Sequence, residues 1–317
     1  MYNFRSVLKI NRSLIYITNV MKISESPCLY LNICTLLTIV ISFYPYFCTR
    51  ILITVMAKQT EEDKILYRIN KRFLKGVVDY GLIRDGDKIL VGLSGGKDSM
   101  ALLELLALRS RIYKPRFSVI AVHVQMSNIE YKSDTAYLEE FSRSLGVPFY
   151  TYTTSFDPST DTRKSPCFLC SWNRRKALFT VAKEHGCNKI ALGHHMDDIL
   201  ETLLMNMTFQ GAISTMPPAL VMRKFDMTII RPMCLLHESD LIEMARIRGY
   251  RKQIKNCPYE KDSHRSDMKE VLRRLEEMNP EARYSLWSSM NNIQSDMLPI
   301  VVPPQADCDS DSSITNS

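Results

Sequence analysis

The sequence predicts an α/β protein in which a doubly wound parallel sheet carries helical additions at both ends. Short apolar runs of strand length alternate with longer segments that have the period of amphipathic helices. A glycine-rich turn joins the first apolar run to a strong helix former, as expected of a strand–helix unit. With 317 residues, of which 45% are hydrophobic, the chain can bury one large core or two modest ones.

The individual elements follow from where these patterns begin and end. Four apolar or β-branched runs predict parallel strands over 89–93, 118–124, 147–153 and 188–193. Helical spacing predicts helices over 61–80, 100–108, 133–145 and 197–209, then a hairpin (219–224 and 227–231) and helices over 238–248, 263–278 and 280–293. The apolar stripe of the first helix is formed by Ile65, Ile69, Phe73, Val77 and Val78. This helix is expected to cover the sheet or a substrate channel.

The two ends of the chain differ from the part between them. Residues 1–55 carry five Lys or Arg and one Glu, so they hold +4 of the formal net charge of +7 and leave +3 for the rest. Residues 29–48 are long and apolar enough to span a bilayer, so a membrane anchor is one interpretation and a signal peptide a second. The third, which we adopt, is that translation starts at Met56. We therefore expect an extension over 1–55, a functional domain over 56–295 and a disordered tail over 296–317.

Cysteine usage and charge exclude two classes of protein. Nine cysteines are odd in number, sparse and set in an α/β pattern, which excludes a secreted disulfide framework and indicates a cytoplasmic protein. The small charge of residues 56–317 excludes a bulk polycation, so any nucleic-acid surface must be a local patch. No stable membrane association is expected if translation starts at Met56.

The residues that follow the first predicted strand, Ser94-Gly-Gly-Lys-Asp-Ser99, have the composition of an anion-binding loop. Glycines allow close backbone approach, a helix N-terminus favours negative charge, and Lys97 adds a cation. The spacing differs from the mononucleotide P-loop and matches the pyrophosphate loop (PP-loop) of N-type ATP pyrophosphatases. This resemblance implies cleavage of ATP to AMP and pyrophosphate, with catalytic roles for Lys97 and Asp98. The residues that it assigns to ATP binding are Ser94, Gly95, Gly96, Lys97, Asp98 and Ser99.

The segment His194-His-Met-Asp-Asp198 follows the fourth predicted strand and opens the next helix. Two carboxylates at a helix N-terminus are favoured by the macrodipole, so capping is the simplest explanation of Asp197 and Asp198. Ligands of a doubly wound sheet bind at the carboxyl ends of its strands, where this segment and the PP-loop both lie. We therefore assign Asp197 and Asp198 a catalytic role with magnesium or ATP, and His194 to the ATP site.

Cys167 and Cys170 form a C-x-x-C pair in a predicted loop before a helix. The pair alone fits a zinc knuckle, a redox pair, two iron–sulfur ligands or a coincidence. Its place after the third strand of an ATP-binding sheet argues against thioredoxin-like chemistry, and a closed zinc site needs four ligands. Cys257 is a third candidate beside a turn-forming proline, whereas Cys187 and Cys234 have the surroundings of small apolar residues. Three thiolates suit a 4Fe–4S cluster with one iron left open.

Two basic stretches are candidate contacts for RNA phosphates. The first lies at 174–176, and the second spans 246–274 with ten Lys or Arg against four Asp or Glu. The cations assigned to RNA contact are Arg174, Arg175, Lys176, Arg248, Arg251 and Lys252. Trp172 and Tyr250 are available for base stacking. A solvated helix face is the alternative interpretation.

These motifs together resemble the tRNA 2-thiocytidine synthetase (TtcA) family of PP-loop ATP pyrophosphatases, over roughly residues 63–293. The resemblance is carried by Leu93-Ser-Gly-Gly-Lys-Asp-Ser99, Pro166-Cys-Phe-Leu-Cys-Ser171 with Arg174-Arg175, Ile190-Ala-Leu-Gly-His-His-Met-Asp-Asp-Ile-Leu200, Met216-Pro-Pro218 and Ile230-Arg-Pro232. It implies an adenine nucleotide alpha-hydrolase-like fold and an enzyme that adenylates the C2 oxygen of a tRNA cytidine, C32 of the anticodon loop, before sulfur displaces AMP. It also implies ATP, Mg²⁺ and a 4Fe–4S cluster on Cys167, Cys170 and Cys257. The implied partners are tRNA and a cysteine desulfurase as sulfur donor, and a homodimer is the candidate assembly.

Two alternatives remain open from the sequence. A tRNA lysidine synthetase-like ligase shares the PP-loop but does not require three cysteines. A non-catalytic, membrane-tethered iron–sulfur sensor that binds nucleotide would have no need to retain Lys97, Asp98, Asp197 and Asp198. The chain also departs from the resemblance at Glu260, where the family often has a further cysteine; this leaves the set of three cysteines intact.

Overall fold

The computed structural model describes residues 60–128, 134–157, 159, 166–251 and 264–299, which contain six β-strands and eight α-helices. The strands are β1 (Lys88–Gly92), β2 (Ser118–Met126), β3 (Phe149–Thr154), β4 (Lys189–Ala191), β5 (Ala219–Met222) and β6 (Met227–Ile230). The helices are α1 (Glu61–Asp79), α2 (Lys97–Ser110), α3 (Thr135–Ser144), α4 (Pro166–Glu184), α5 (Met196–Gln210), α6 (Glu238–Arg248), α7 (His264–Met278) and α8 (Ala282–Ser289). The described residues from Lys64 onward belong to one compact unit.

The six strands form one sheet in the order β3-β2-β1-β4-β6-β5. Every neighbouring pair is parallel except β5–β6, the antiparallel hairpin that closes one edge. In the central strand, Ile89 lies between Val119 of β2 and Lys189 of β4. The chain builds outward from β1 in one direction through β2 and β3, and in the other through β4 and β6. The predicted doubly wound sheet and its hairpin are therefore confirmed.

The central strand β1 has an apolar, buried middle, Ile89 to Val91, because helices cover both faces of the sheet. Its side chains alternate between the faces. Ile89 and Val91 lie in the larger core, which α1, α2, α3 and α6 complete. Leu90 lies in the core on the opposite face, with Phe179 of α4 and Ile190 of β4. Each such buried side chain contributes about 1.5–3 kcal/mol to folding.

The C-terminal helices α7 and α8 pack on α5. Leu200 of α5 and Leu272 of α7 lie in one apolar cluster, against which Leu286 and Trp287 of α8 pack. This arrangement brings α7 and α8 close to the start of α5, which is one of the segments predicted to line the site.

Helix α1 packs on the larger core. Of the two placements predicted for it, over the sheet or over a substrate channel, the structure shows the first. Ile69, Phe73 and Val77 are buried in it. Val78, which the apolar stripe included, is 72% exposed. Its position is one residue beyond the buried face, and a helix turns by about 100° per residue, so Val78 points to solvent.

The start of α4 and the end of α8 differ from the predicted boundaries. Cys167 and Cys170 were predicted to lie in a loop, and this was wrong: α4 begins at Pro166, so both cysteines belong to its first turns. Proline is frequent at the first helical position, because a backbone N–H at that position would have no acceptor within the helix. The last helix, predicted to run to residue 293, ends at Ser289.

Several predictions lie outside the described residues. They concern the extension over 1–55 with its candidate membrane span, the start at Met56, the residues Lys252 and Cys257, and most of the tail over 296–317. The division into 1–55, 56–295 and 296–317 stays a prediction. Among the helices that the structure describes, none combines the length and apolar character needed to cross a membrane.

Candidate active site

The PP-loop and the segment after β4 meet at the carboxyl edge of the sheet, between β1 and β4. The strand order reverses there, which opens the crevice where ligands of doubly wound sheets bind. Gly193 marks how closely the two segments approach. A Cβ at this position would lie 3.2 Å from the carbonyl carbon and oxygen of Asp98 and 3.3 Å from the backbone nitrogen of Ser99. The structure thus places 94–99 and 194–198 side by side.

The PP-loop is held by its own two serines. The Ser99 hydroxyl donates to the Gly96 carbonyl at 2.9 Å, and its oxygen accepts from the Ser94 backbone N–H at 3.2 Å. Gly95 has a φ of +80°, which permits the tight turn. Gly96 is the N-cap of α2 and has no side chain, so the first-turn N–H groups carry no side-chain cap and can bind an anion. Ser99 is buried and shapes the loop; a direct contact with ATP stays a prediction for it.

Helix α2 begins at Lys97, earlier than the predicted start at 100, so Lys97 and Asp98 lie in its first turn. The Lys97 ammonium lies 3.2 Å from Asp98 Oδ1 and 3.4 Å from Glu238 Oε1. Glu238 Oε2 lies 2.5 Å from Lys269 Nζ of α7. Burial alone would raise the pKa of Glu238, but its contacts with Lys269 and Lys97 outweigh burial and lower that pKa.

Sequence reasoning missed Glu238 as a site residue. The only signal was an acidic residue at the start of a predicted helix, which the helix dipole explains by itself. Sequence reasoning also interpreted residues 246–274 as an RNA-binding surface. Two basic residues of this stretch, however, form ion pairs with carboxylates of the protein itself. Lys269 pairs with Glu238, and Arg265 lies 3.0 Å from the buried Glu201 and 3.3 Å from Asp198.

The two aspartates after β4 have different surroundings. Asp197 is 5% exposed, accepts the Glu238 backbone N–H at 2.7 Å and lies 2.7 Å from Arg283 Nε. Asp198 forms a capping box with His195 and remains partly exposed. Helix capping, the simplest explanation of the two carboxylates, therefore explains why an aspartate is present at position 198. Asp197 instead connects α5 to α6 through Glu238 and to α8 through Arg283. A magnesium or ATP role for either stays a prediction.

His194 lies at the carboxyl end of β4, against Arg231. The Arg231 Nε–H donates to His194 Nδ1 at 3.3 Å. Burial lowers the pKa of His194 to about 4, and the neighbouring Arg231 cation adds to the effect. His194 is therefore neutral at physiological pH. Arg231 belongs to the Ile230-Arg-Pro232 motif, but sequence reasoning assigned it no role.

The C-x-x-C pair lies at the same edge of the sheet. Cys170 is buried against Met126, the last residue of β2, and Phe156, which follows β3, whereas Cys167 is exposed. Positions i and i+3 share one face of a helix, so both thiols lie on one side of α4. The described residues contain no group of three or more His, Cys, Asp or Glu side chains able to hold a metal. Cys257, the predicted third ligand, lies outside them.

The residues assigned to RNA do not form one surface near the loop. On α4, Arg175 lies close enough to Arg231 to lower its pKa, and Trp172 is 55% exposed. Arg248 instead pairs with Glu104 at 2.7 Å. Glu104 lies seven residues along α2 from Lys97, roughly 10 Å along the helix. Arg251 stacks on the Tyr137 ring, 4.8 Å from its centre.

The expectation that Tyr250 is available for base stacking was wrong. Its hydroxyl donates to Glu104 Oε2 at 2.8 Å, and its ring packs edge-on against Phe141. Burial and the Glu104 carboxylate raise the pKa of Tyr250. The ring packs against the larger core, and the sequence could not show this because the amphipathic side chain of Tyr suits both a core and an RNA surface.

We expect Gly193→Ala to raise the KM for ATP by roughly tenfold or more, because displacement of a positioned group by a fraction of an ångström is costly. The new methyl would press on backbone atoms of Asp98 and Ser99, which cannot rotate away. The matched control is Gly92→Ala, whose methyl would meet only the flexible Leu178 side chain, at 3.4 Å. Equal ATP kinetics in both variants would show that the close approach is not needed.

Comparison with known proteins decides the family. The PP-loop domain family matches residues 63–253. The tRNA-cytidine(32) 2-sulfurtransferase of Geotalea daltonii is 36% identical over 239 residues, which are 74% of this chain and 94% of the relative. That of Syntrophotalea carbinolica is 37% identical over 237 residues, 74% of this chain and 92% of the relative. The chain belongs to the tRNA-cytidine(32) 2-sulfurtransferase family. The predicted resemblance and the predicted enzyme class are confirmed.

A solved structure confirms the PP-loop fold of this sulfurtransferase family member. The U34-tRNA thiolase NcsA from Methanococcus maripaludis, determined with its [4Fe-4S] cluster, superposes with a TM-score of 0.60. The match covers 73% of this chain and 79% of NcsA at 23% identity, so it concerns the fold alone. This chain therefore shares its overall fold with NcsA, and the match to the PP-loop domain family identifies that fold.

Proposed function

We propose that the chain is an ATP-dependent tRNA sulfurtransferase that converts a cytidine, C32 of the anticodon loop, to 2-thiocytidine. The observation that carries the proposal is membership in a family of this name along most of the chain, with the PP-loop included. The position of that loop at the switch point of the sheet supports it, because a nucleotide and a second substrate can meet in the crevice.

The reaction consists of two substitutions. First, the C2 carbonyl oxygen of cytidine attacks the α-phosphorus of ATP, and the bond from that phosphorus to pyrophosphate breaks. Hydrosulfide then attacks C2 through its sulfur, the C2–O bond breaks, AMP leaves with the oxygen, and the S–H proton passes to solvent. Adenylation is needed because a carbonyl oxygen alone is a poor leaving group.

The residues of the loop have distinct parts in the first substitution. The N–H groups at the start of α2 would bind phosphate oxygens. Lys97 would balance the negative charge that develops on pyrophosphate. To do so, its ammonium would exchange its ion pairs with Asp98 and Glu238 for a contact with pyrophosphate. Asp98 would hold Mg²⁺, which prefers carboxylate, phosphate and water oxygens. Asp198 is the better placed of the two later aspartates to assist, because the Asp197 carboxylate is already occupied by Glu238 N–H and Arg283.

The donor set fits a cluster held by three cysteines. Cys167 and Cys170 supply two thiols from one face of α4, at the carboxyl edge that also carries the loop. With Cys257 as the third ligand, a bound 4Fe–4S cluster would leave one iron position open to the incoming sulfur.

The partners follow from this chemistry. The tRNA would contact the exposed face of α4, where Trp172 can stack a base and Arg174, Arg175 and Lys176 can meet phosphates. A cysteine desulfurase would deliver sulfur, a homodimer is the proposed assembly, and the cytoplasm is the proposed location because tRNA and desulfurase are found there.

The test is nucleoside mass spectrometry of tRNA. The full chain is expressed in a bacterial strain that lacks its own 2-thiocytidine enzyme, and total tRNA is digested and analysed. We expect 2-thiocytidine to appear with the wild-type chain and to be absent with Lys97→Ala. Lysidine in place of 2-thiocytidine would favour the ligase alternative, and no modified cytidine with either chain would favour the sensor; either outcome overturns the proposal.

A further inference from the structure

Arg231 is a buried cation at the end of β6 that the proposed chemistry leaves unused. It is 6% exposed, so its guanidinium must be satisfied inside the protein. Its Nη1 donates to the Pro217 carbonyl at 2.6 Å, and its Nε donates to His194 Nδ1 at 3.3 Å. Its backbone N–H donates to the Pro218 carbonyl at 2.8 Å. One side chain thus ties the Pro217-Pro218 loop to the histidine beside the PP-loop.

The contact with Nδ1 determines which nitrogen of His194 carries the proton. A guanidinium has donors and no acceptor, so Nδ1 can only accept. In the neutral imidazole the proton must then reside on Nε2. Lysine could not reproduce this arrangement, because its single ammonium lacks the fixed fork that reaches two acceptors in different directions.

We propose that Arg231 is a positioning residue that fixes His194 in the Nε2–H tautomer, so that His194 presents one oriented, uncharged N–H donor to the bound nucleotide. The proposal rests on the proposed function for the identity of the ligand. The tautomer itself rests only on the contact between Arg231 and His194.

The charges around His194 explain why the donor stays uncharged. Burial is the largest cause of its lowered pKa, and the Arg231 cation is the second. Asp198 acts in the opposite direction, whereas Arg265 and His195 lower the pKa further. Because the pKa lies at about 4, protonation is complete only well below physiological pH. Removing the Arg231 charge should therefore raise the pKa.

The experiment is nitrogen NMR of the full chain labelled with ¹⁵N-histidine, with the His194 signals assigned by their loss in His194→Phe. In the wild type we expect a proton on Nε2, none on Nδ1, and no titration of His194 above about pH 5. A proton on Nδ1 of the wild type would overturn the proposal without any variant.

Two variants separate the contact from the charge. Arg231→Lys keeps the charge and the reach to the Pro217 carbonyl, and we expect mixed tautomers with a low pKa. Arg231→Gln removes the charge, and we expect the His194 pKa to rise by about one unit or more. Thermal melts select variants that remain folded. An unchanged tautomer and titration in both folded variants would overturn the proposal.

Kinetics connects the tautomer to the nucleotide. We expect folded Arg231→Lys to raise the KM for ATP in pyrophosphate release by roughly tenfold, the cost of one misplaced hydrogen bond, with a smaller change in kcat. An unchanged KM in a variant with mixed tautomers would overturn the link to the nucleotide. If the wild type releases no pyrophosphate, the proposed function fails, while the NMR result still decides the tautomer.

Discussion

Lys97→Ala and Asp98→Ala are expected to slow ATP-dependent pyrophosphate release by roughly 10²- to 10³-fold, as removal of one charge-stabilising group does in other enzymes. Both side chains lie in the first turn of α2 and are about one-third exposed, at the crevice between β1 and β4. Without Lys97, the charge that develops on pyrophosphate loses its mobile cation. Without Asp98, the proposed magnesium site loses a carboxylate oxygen. The measurement is a coupled pyrophosphate assay with tRNA present.

The fold should survive these changes. The Lys97 ion pairs are partly exposed, and pairs of this kind contribute about 0–1 kcal/mol. In Lys97→Ala, Glu238 keeps Lys269 as a partner, and the Asp98 side chain, which loses Lys97, is about one-third exposed to solvent. Lys75→Ala is the matched control, because it breaks an ion pair with Asp79 on the exposed surface of α1. Normal pyrophosphate release by either loop variant would mean that the PP-loop assignment is wrong.

Substitution of Cys167, Cys170 or Cys257 by Ala is expected to abolish both the visible absorption of an oxygen-sensitive cluster and tRNA thiolation. Each cysteine is a proposed ligand, and a cluster held by three thiolates cannot lose one and keep its charge balance and geometry. The measurements are absorption spectra and iron content of anaerobically purified protein, followed by nucleoside mass spectrometry of tRNA.

Two other cysteines provide the controls for this series. Cys187 and Cys234 are buried, and burial raises the pKa of each thiol, that of Cys234 to about 12. A thiol with a raised pKa is a poor metal ligand, because the thiolate is the form that binds iron. Cys187→Ala and Cys234→Ala should therefore keep the cluster and thiolation. Stoichiometric zinc without iron in the wild type would contradict the cluster and favour a structural metal site.

The order of the elements was predictable because it depends on local patterns. The alternation of apolar runs with helical periods predicted β1 to β4, the hairpin and the helices, and the reversal of the sheet order placed the PP-loop beside His194. Boundaries were less predictable. The start of α2 at Lys97 depends on Gly96 as N-cap, and α4 begins at Pro166, a residue that favours the first helical position but also occurs in loops.

By itself, the sequence determined the fold class, the anion loop after β1 and the family, because strand period, turn glycines and short motifs are local properties. Only the tertiary structure decided which charged side chains form ion pairs or hydrogen bonds within the protein. Asp197 meets the Glu238 backbone across 41 positions, and His194 meets Arg231 across 37. The first pair forms only when α6 packs against the start of α5, and the second only when β4 and β6 lie side by side. A run of charges in the sequence shows neither its partners nor its burial. For the same reason Lys269 and Arg265, which the sequence presents as members of a basic run, lie in ion pairs with carboxylates beside the PP-loop.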